Sequence, residues 1–314
     1  MNLKSNTNLQ KSILNQAVII ILSTLLLLVL ASCQAENCSE VSSSAVFEAS
    51  ATPIIDIVPD TATPSPTVEP TITATPIQPS KIESASVEAE WLPYDLPYQV
   101  YLPAGYQEQP ASCYPMLILL HGQSYNESQW LTLGVQEFAD QVIFETQQPF
   151  LIFMPREAYY LQEMEESLYE QAIAELLLDE VLVKYPLCEA RTQHAVGGIS
   201  RGATWAVWIG FDYPTQFAIV GAHSLPPHRN DVFKLAYWVK DMPKEDPLAL
   251  YIDIGAYDSY VEAAQIFENY LVKYHVQHEF HLNDGMHEDA YWQAHLLEYL
   301  RWYAAQFHEP ISSD

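Results

Sequence analysis

The stretch that most constrains this chain is His194-Ala195-Val196-Gly197-Gly198-Ile199-Ser200-Arg201-Gly202-Ala203. A short apolar run leads into Gly198-x-Ser200-x-Gly202, and Ala203 to Phe211 reads as a helix. The chain must turn sharply from strand to helix, and the glycines remove side chains that would collide there. The serine sits at the exposed tip of that turn. A serine hydroxyl is a poor nucleophile, and it reacts only beside a base and beside amides that can accept a developing oxyanion. Gly-x-Ser-x-Gly also arises by chance, so the weight rests on the order of elements around it.

That order is strand and helix in alternation. Tyr98, Val100 and Leu102 alternate as in a strand, and Pro103 to Tyr106 breaks it. Pro115 to Leu120 is a continuous apolar run, as in a strand buried on both faces of a parallel sheet. It ends at His121-Gly122-Gln123-Ser124. Ser128 to Ile143 reads as helix and Pro149 to Met154 as another buried strand. Glu163 to Tyr185 reads as one amphipathic helix, with Leu168, Ile173, Leu176, Leu177 and Val181 on one side and Pro186 as its stop. Short strands follow at Phe217 to Ala222, Leu248 to Ile254 and Glu279 to Leu282, with helices at Tyr260 to Tyr274 and Ala290 to Phe307. The pattern predicts a mostly parallel α/β sheet with helices on both faces.

The N-terminal part is of another kind. Lys4 and Lys11 precede the apolar run Ile13 to Leu30, and Leu30-Ala31-Ser32-Cys33 follows. This reads as an export signal over residues 1–33. Its ending resembles the lipobox of bacterial lipoproteins, which implies lipid, palmitate included, on Cys33 and a membrane-anchored, extracytoplasmic protein. An uncleaved membrane anchor is the other reading of the same run. Residues 34–88 read as a linker, because Ala51 to Ser80 is rich in Pro, Thr and Ala and has no Lys, Arg or Gly. Such a composition cannot bury enough apolar surface to offset its ordering entropy. Residues 89–310 remain for one sizeable domain.

The net charge of −27 argues against a nucleic-acid partner, since such a surface repels phosphate. Of four cysteines, Cys38 falls in the linker, while Cys113 and Cys188 each stand just before a predicted strand. In an oxidising compartment these two pair if their strands are neighbours, and stay separate thiols otherwise. No zinc-type spacing, phosphate loop or dinucleotide fingerprint occurs, so no metal and no cofactor are expected.

In open parallel sheets the working residues lie at the carboxyl ends of strands. Candidates there are His121 and Gln123, Ser200, Asp253 and Asp258, and His287. The order Ser, Asp, His is that of α/β-hydrolases. Tyr101 to Tyr106, then Tyr114-Pro115-Met116-Leu117 running into His121-Gly122, resembles the esterase-D-like family of feruloyl, enterochelin and S-formylglutathione esterases. Gly198-Ile199-Ser200-Arg201-Gly202 resembles its nucleophile elbow, and Tyr213 to Phe217 the exit of the following helix. Ile252 to Asp258 resembles its acid loop, and Gly285-Met286-His287 with Trp292 its histidine segment. The likeness runs over residues 92–307, and Ala203 departs from it where many relatives have a second glycine.

The resemblance implies an α/β-hydrolase fold and a serine esterase acting on a small-molecule ester. Ser200 would be the nucleophile, His287 the base and Asp258 its orienting acid. The backbone N–H groups of Gln123 and Arg201 would form the oxyanion hole. Asp253 competes with Asp258, and His281, His295 and His308 compete with His287. The Arg201 side chain fits either a substrate carboxylate or a structural ion pair. His121 reads as shaping its loop, and Trp205 and Trp208 as core. Tyr237 and Trp238 fit either a pocket wall or core. A serine peptidase or amidase of the same fold is the alternative activity. An inactive fold used as a surface binding module is another, against which the full set of candidate side chains argues.

Overall fold

The computed structural model describes residues 78–244 and 247–307. The expected export signal over 1–33 with Cys33, most of the expected linker, and His308 lie outside the described residues.

Eight strands form one sheet: β1 Lys81–Val87, β2 Leu96–Leu102, β3 Met116–Leu120, β4 Leu151–Pro155, β5 His194–Ile199, β6 Ile219–His223, β7 Ala249–Gly255 and β8 Glu279–Asn283. Their order is β1-β2-β4-β3-β5-β6-β7-β8. β1 and β2 run antiparallel to their neighbours, and the rest are parallel. The continuous apolar run of β3 has the expected cause. Leu117 and Leu119 enter the core on one face, and Met116, Ile118 and Leu120 the core on the other.

β1 corrects the linker boundary. Residues 81–87 pair with β2 along their whole length, so the domain begins before the end of the 34–88 segment. In the sequence KIESASV only Val87 is buried. An edge strand held by backbone pairing carries no apolar periodicity to read.

The helices are α1 Gln129–Thr132, α2 Val135–Thr146, α3 Tyr169–Gln171, α4 Leu178–Lys184, α5 Arg201–Asp212, α6 Asp231–Asp241, α7 Val261–Lys273 and α8 Asp289–Gln306. Side chains of α1, α2 and α8 form the core on one face of the sheet, and those of α3 to α7 the core on the other. No helix among the described residues is long and apolar enough to cross a membrane. The single helix expected over 163–185 is broken. Met164–Glu166 is a separate 3-10 turn, and α3 runs into α4 through a π-helical Ala172–Leu177. The break leaves Leu168 outside the core, while Ile173, Leu177 and Val181 are buried as expected.

Cys113 and Cys188 form a disulfide. β3 and β5 are neighbours although β4 lies between them in the chain, and a bridge between Tyr114 and Leu187 aligns their entrances. Trp205 and Trp208 are core residues, as is Trp238, which stacks on Phe211, whereas Tyr237 is 69% exposed.

The α3–α5 contact makes stability depend on pH. Glu170 is pushed up to about 8, first by burial and then by the nearby Asp212 carboxylate, and its Oε1 is buried without a hydrogen-bond partner. Burial also pushes Asp231 up, to about 6. An unfolded chain releases both protons near the ordinary values of 4.5 and 3.8. At these two groups the folded state therefore holds more protons across this window, and their contribution to stability falls as pH rises through it. Burial acts the other way on His121 and His194, whose lowered values favour the folded state as pH rises toward the ordinary 6.5. The melting temperature should therefore fall between about pH 6.5 and about pH 8, and Glu170→Gln should flatten that decline.

Candidate active site

The site starts at the turn after β5. Ser200 has φ 55° and ψ −123°, a backbone conformation that costs a non-glycine residue about 1–3 kcal/mol and persists only where its surroundings enforce it. The enforcement is visible. The Ser200 N–H donates to the His223 carbonyl at the end of β6, at 2.9 Å. A Cβ on Gly198 would lie 2.3 Å from the Gly202 backbone, and one on Gly202 would lie 2.4 Å from the Leu120 carbonyl oxygen. Both glycines are therefore required by close approach of backbone.

Three carboxyl-end loops converge here. The His287 ring stands between Ser200 and Asp258: Nε2 is 2.8 Å from Ser200 Oγ, and Nδ1 is 2.7 Å from Asp258 Oδ2. The ionised carboxylate accepts only, so Nδ1 carries the proton and Nε2 is left to accept from the serine hydroxyl. The Asp258 side chain is fully buried, whereas that of His287 is 22% exposed. Asp258 Oδ1 accepts the Tyr260 N–H at 2.9 Å, which fixes the carboxylate plane. Tyr260 and Trp292 flank the imidazole edge-on, at 5.1 and 5.2 Å between ring centres.

Backbone holds the acid and histidine loops together. Ala256 N–H donates to Asn283 O at 2.7 Å, and Tyr257 N–H to Gly285 O at 2.9 Å. The loop after β3 completes the rim, because Leu120 pairs in register with Gly198 and so carries residues 121–123 alongside the elbow. Gly122 N–H is taken by the buried Gln129 Oε1 at 2.7 Å. Gln123 stands next in that turn, and Arg201 opens α5, where the first N–H groups have no partner within the helix.

The remaining candidates find structural partners. His121 is buried, with Nδ1 on Gly122 O and Nε2 accepting the Glu157 N–H, and burial lowers its pKa. A neutral ring so occupied shapes its loop. The Arg201 guanidinium holds Glu157 through both carboxylate oxygens at 2.7–3.0 Å and donates to Gln162 O. It is a structural ion pair, with its charge matched. Asp253 is buried against His223, not His287. His281 stacks on Tyr251, and His295 pairs with Glu298.

Sequence reasoning missed Glu157, Gln129 and His223. Glu157 and His223 each stand at a strand's carboxyl end, which is the signal that could have found them.

The family described as "Putative esterase" matches residues 89–303, most of the chain. The chain belongs to that esterase family. No curated protein matches it. Solved structures similar to the esterase include a ferulic acid esterase, at TM-score 0.63 and 21% identity over 74% of this chain and 100% of that one. Another is an S-formylglutathione hydrolase from Staphylococcus aureus, at TM-score 0.59 and 18% identity over 72% and 99%. A third is a serine-to-alanine variant of the feruloyl esterase module from Clostridium thermocellum complexed with sinapinate, at TM-score 0.62 and 14% identity over 76% and 92%. The esterase has the α/β-hydrolase fold and is a carboxylic-ester hydrolase.

Proposed function

We propose that the esterase cleaves a small-molecule carboxylic ester through an acyl-serine intermediate on Ser200. The observation that carries this reading is the continuous chain Ser200 Oγ–His287–Asp258, at 2.8 and 2.7 Å, with the serine on a strained elbow. Ser200 Oγ attacks the ester carbonyl carbon while its proton passes to His287 Nε2. Asp258 stabilises the imidazolium, and the N–H groups of Gln123 and Arg201 receive the oxyanion. As the tetrahedral centre collapses, the imidazolium returns its proton to the leaving alcohol. Water then repeats the sequence and frees the acid. The name of one similar structure, a ferulic acid esterase, supports ester substrates of this kind.

We place the enzyme outside the cytoplasm, on a membrane through lipid at Cys33. The export-signal pattern before Cys33 and the Cys113–Cys188 disulfide support this reading. One experiment tests both parts. A fluorophosphonate probe should label the full chain at Ser200 in the membrane fraction, and mass spectrometry of that fraction should find lipid on Cys33 that Cys33→Ser abolishes. A folded protein that neither labels nor hydrolyses p-nitrophenyl acetate overturns the mechanism, and a soluble wild type overturns the anchor. Faster turnover of matched amides than of esters would move the assignment to a peptidase or amidase.

A further inference from the structure

The second buried histidine–aspartate pair has no part in the steps above. Asp253 on β7 and His223 on β6 are both fully buried, with His223 Nδ1 2.7 Å from Asp253 Oδ1. Asp253 Oδ2 also accepts the hydroxyls of Tyr291 at 2.6 Å and Tyr299 at 2.7 Å, both from α8. His223 Nε2 lies 3.0 Å from the Tyr303 hydroxyl, and the His223 ring stacks on Tyr299 at 3.6 Å. Room for Tyr303 is cut into the sheet itself: a Cβ on Gly197 or on Gly221 would stand 1.8 Å from its hydroxyl oxygen. Burial, then the Asp253 charge, raises the pKa of Tyr291, Tyr299 and Tyr303, so all three keep their protons. With Nδ1 protonated, Nε2 accepts from Tyr303 and every polar atom of the pair is used.

Burying a carboxylate carries a large desolvation cost, which hydrogen bonds from His223, Tyr291 and Tyr299 offset here. Its connections lead to both halves of the reacting pair. The His223 carbonyl receives the Ser200 N–H. The Asp253 carbonyl receives the Ser224 N–H, Ser224 Oγ accepts from Trp292 Nε1, and the Trp292 ring packs edge-on against His287. Tyr291 packs on Gly285, in the turn that delivers His287.

We propose that Asp253 is a positioning residue: through His223, Tyr291 and Tyr299 it holds the end of the nucleophile strand and the histidine loop at hydrogen-bonding distance from each other. The proposal rests on the Ser200–His287 reading. Asp253→Asn removes the charge and puts an N–H₂ group where an acceptor stood, with little change of volume. The variant should fold, keep KM within about twofold and lose about 10–100-fold in kcat, since small displacements at a reacting pair have effects of that size. Fluorophosphonate labelling should slow in parallel. The low-field proton resonance of the His287–Asp258 hydrogen bond should shift or broaden. A stability-matched control, Leu271→Ala in the core beneath α7, should melt earlier with kcat and the resonance unmoved.

If Asp253→Asn does not fold, Tyr299→Phe decides. It removes one donor only, and should lower kcat several-fold at constant KM with the same change in the resonance. A folded variant with wild-type kcat, labelling rate and resonance overturns the proposal. So does a kcat loss that the Leu271 control reproduces. A wild-type protein that fails to label defeats the Ser200 reading instead, while the resonance still reports whether Asp253 sets the His287–Asp258 geometry.

Discussion

Ser200→Ala should lower kcat/KM on a p-nitrophenyl ester by about 10⁴-fold or more, and His287→Ala should match it. The two losses should coincide because the groups act as one device. The hydroxyl at 2.8 Å from Nε2 is inert without a base, and the base has nothing to activate without the hydroxyl. Combining the two changes should therefore cost little more than either alone. Asp258→Asn should cost less than these but still several hundred-fold or more, roughly, because an amide can present the wrong donor to Nδ1 and turn the ring's tautomer over. Steady-state kinetics on the four proteins check this, with circular dichroism to show that each is folded. Ser200→Ala should fold, since alanine meets about the same backbone strain as serine at this position. Independent, additive losses for Ser200 and His287 would show that they do not work as a pair.

Loss of the Cys113–Cys188 bridge should have the largest effect on stability. The bridge closes a loop with a sequence separation of 75 residues, and freeing a loop of that length costs about 4 kcal/mol on chain entropy alone. For a domain of this size that corresponds to a melting temperature lower by roughly 10 °C. Calorimetry of the double alanine variant, or of the wild type with and without reductant, measures it. Activity well below the transition should be kept. The bridge ties the entrances of β3 and β5, while Ser200 lies beyond the far end of β5. An unchanged melting temperature would mean that the backbone pairing between Tyr114 and Leu187 already holds that edge.

Much of the fold was legible because its signals are local. The elbow could be read from one ten-residue stretch, where glycine spacing, an apolar run and a helical sequence agree. β3 and β4 could be read because burial on both faces forces unbroken apolar runs. β1 could not, because its pairing with β2 uses backbone groups that every sequence shares. The π-helical turn at Ala172–Leu177 escaped for a related reason: side chains on both sides of it still satisfy a helical pattern.

Serine, histidine and aspartate at strand ends, with the resemblance to known esterases, name a short set of residues able to do chemistry. The choice among them depends on contacts between segments far apart in the chain. Asp253 and Asp258 are five residues apart and chemically the same, yet one faces His223 from inside a strand and the other reaches His287 from a turn. Arg201 is equally ambiguous as a residue type, and Glu157, 44 residues away in the chain, occupies its guanidinium. Cys113 and Cys188 could pair only once β3 and β5 proved to be neighbours. A side chain's identity is fixed by its codon, but its partner is fixed by which loops the sheet order brings to the same edge.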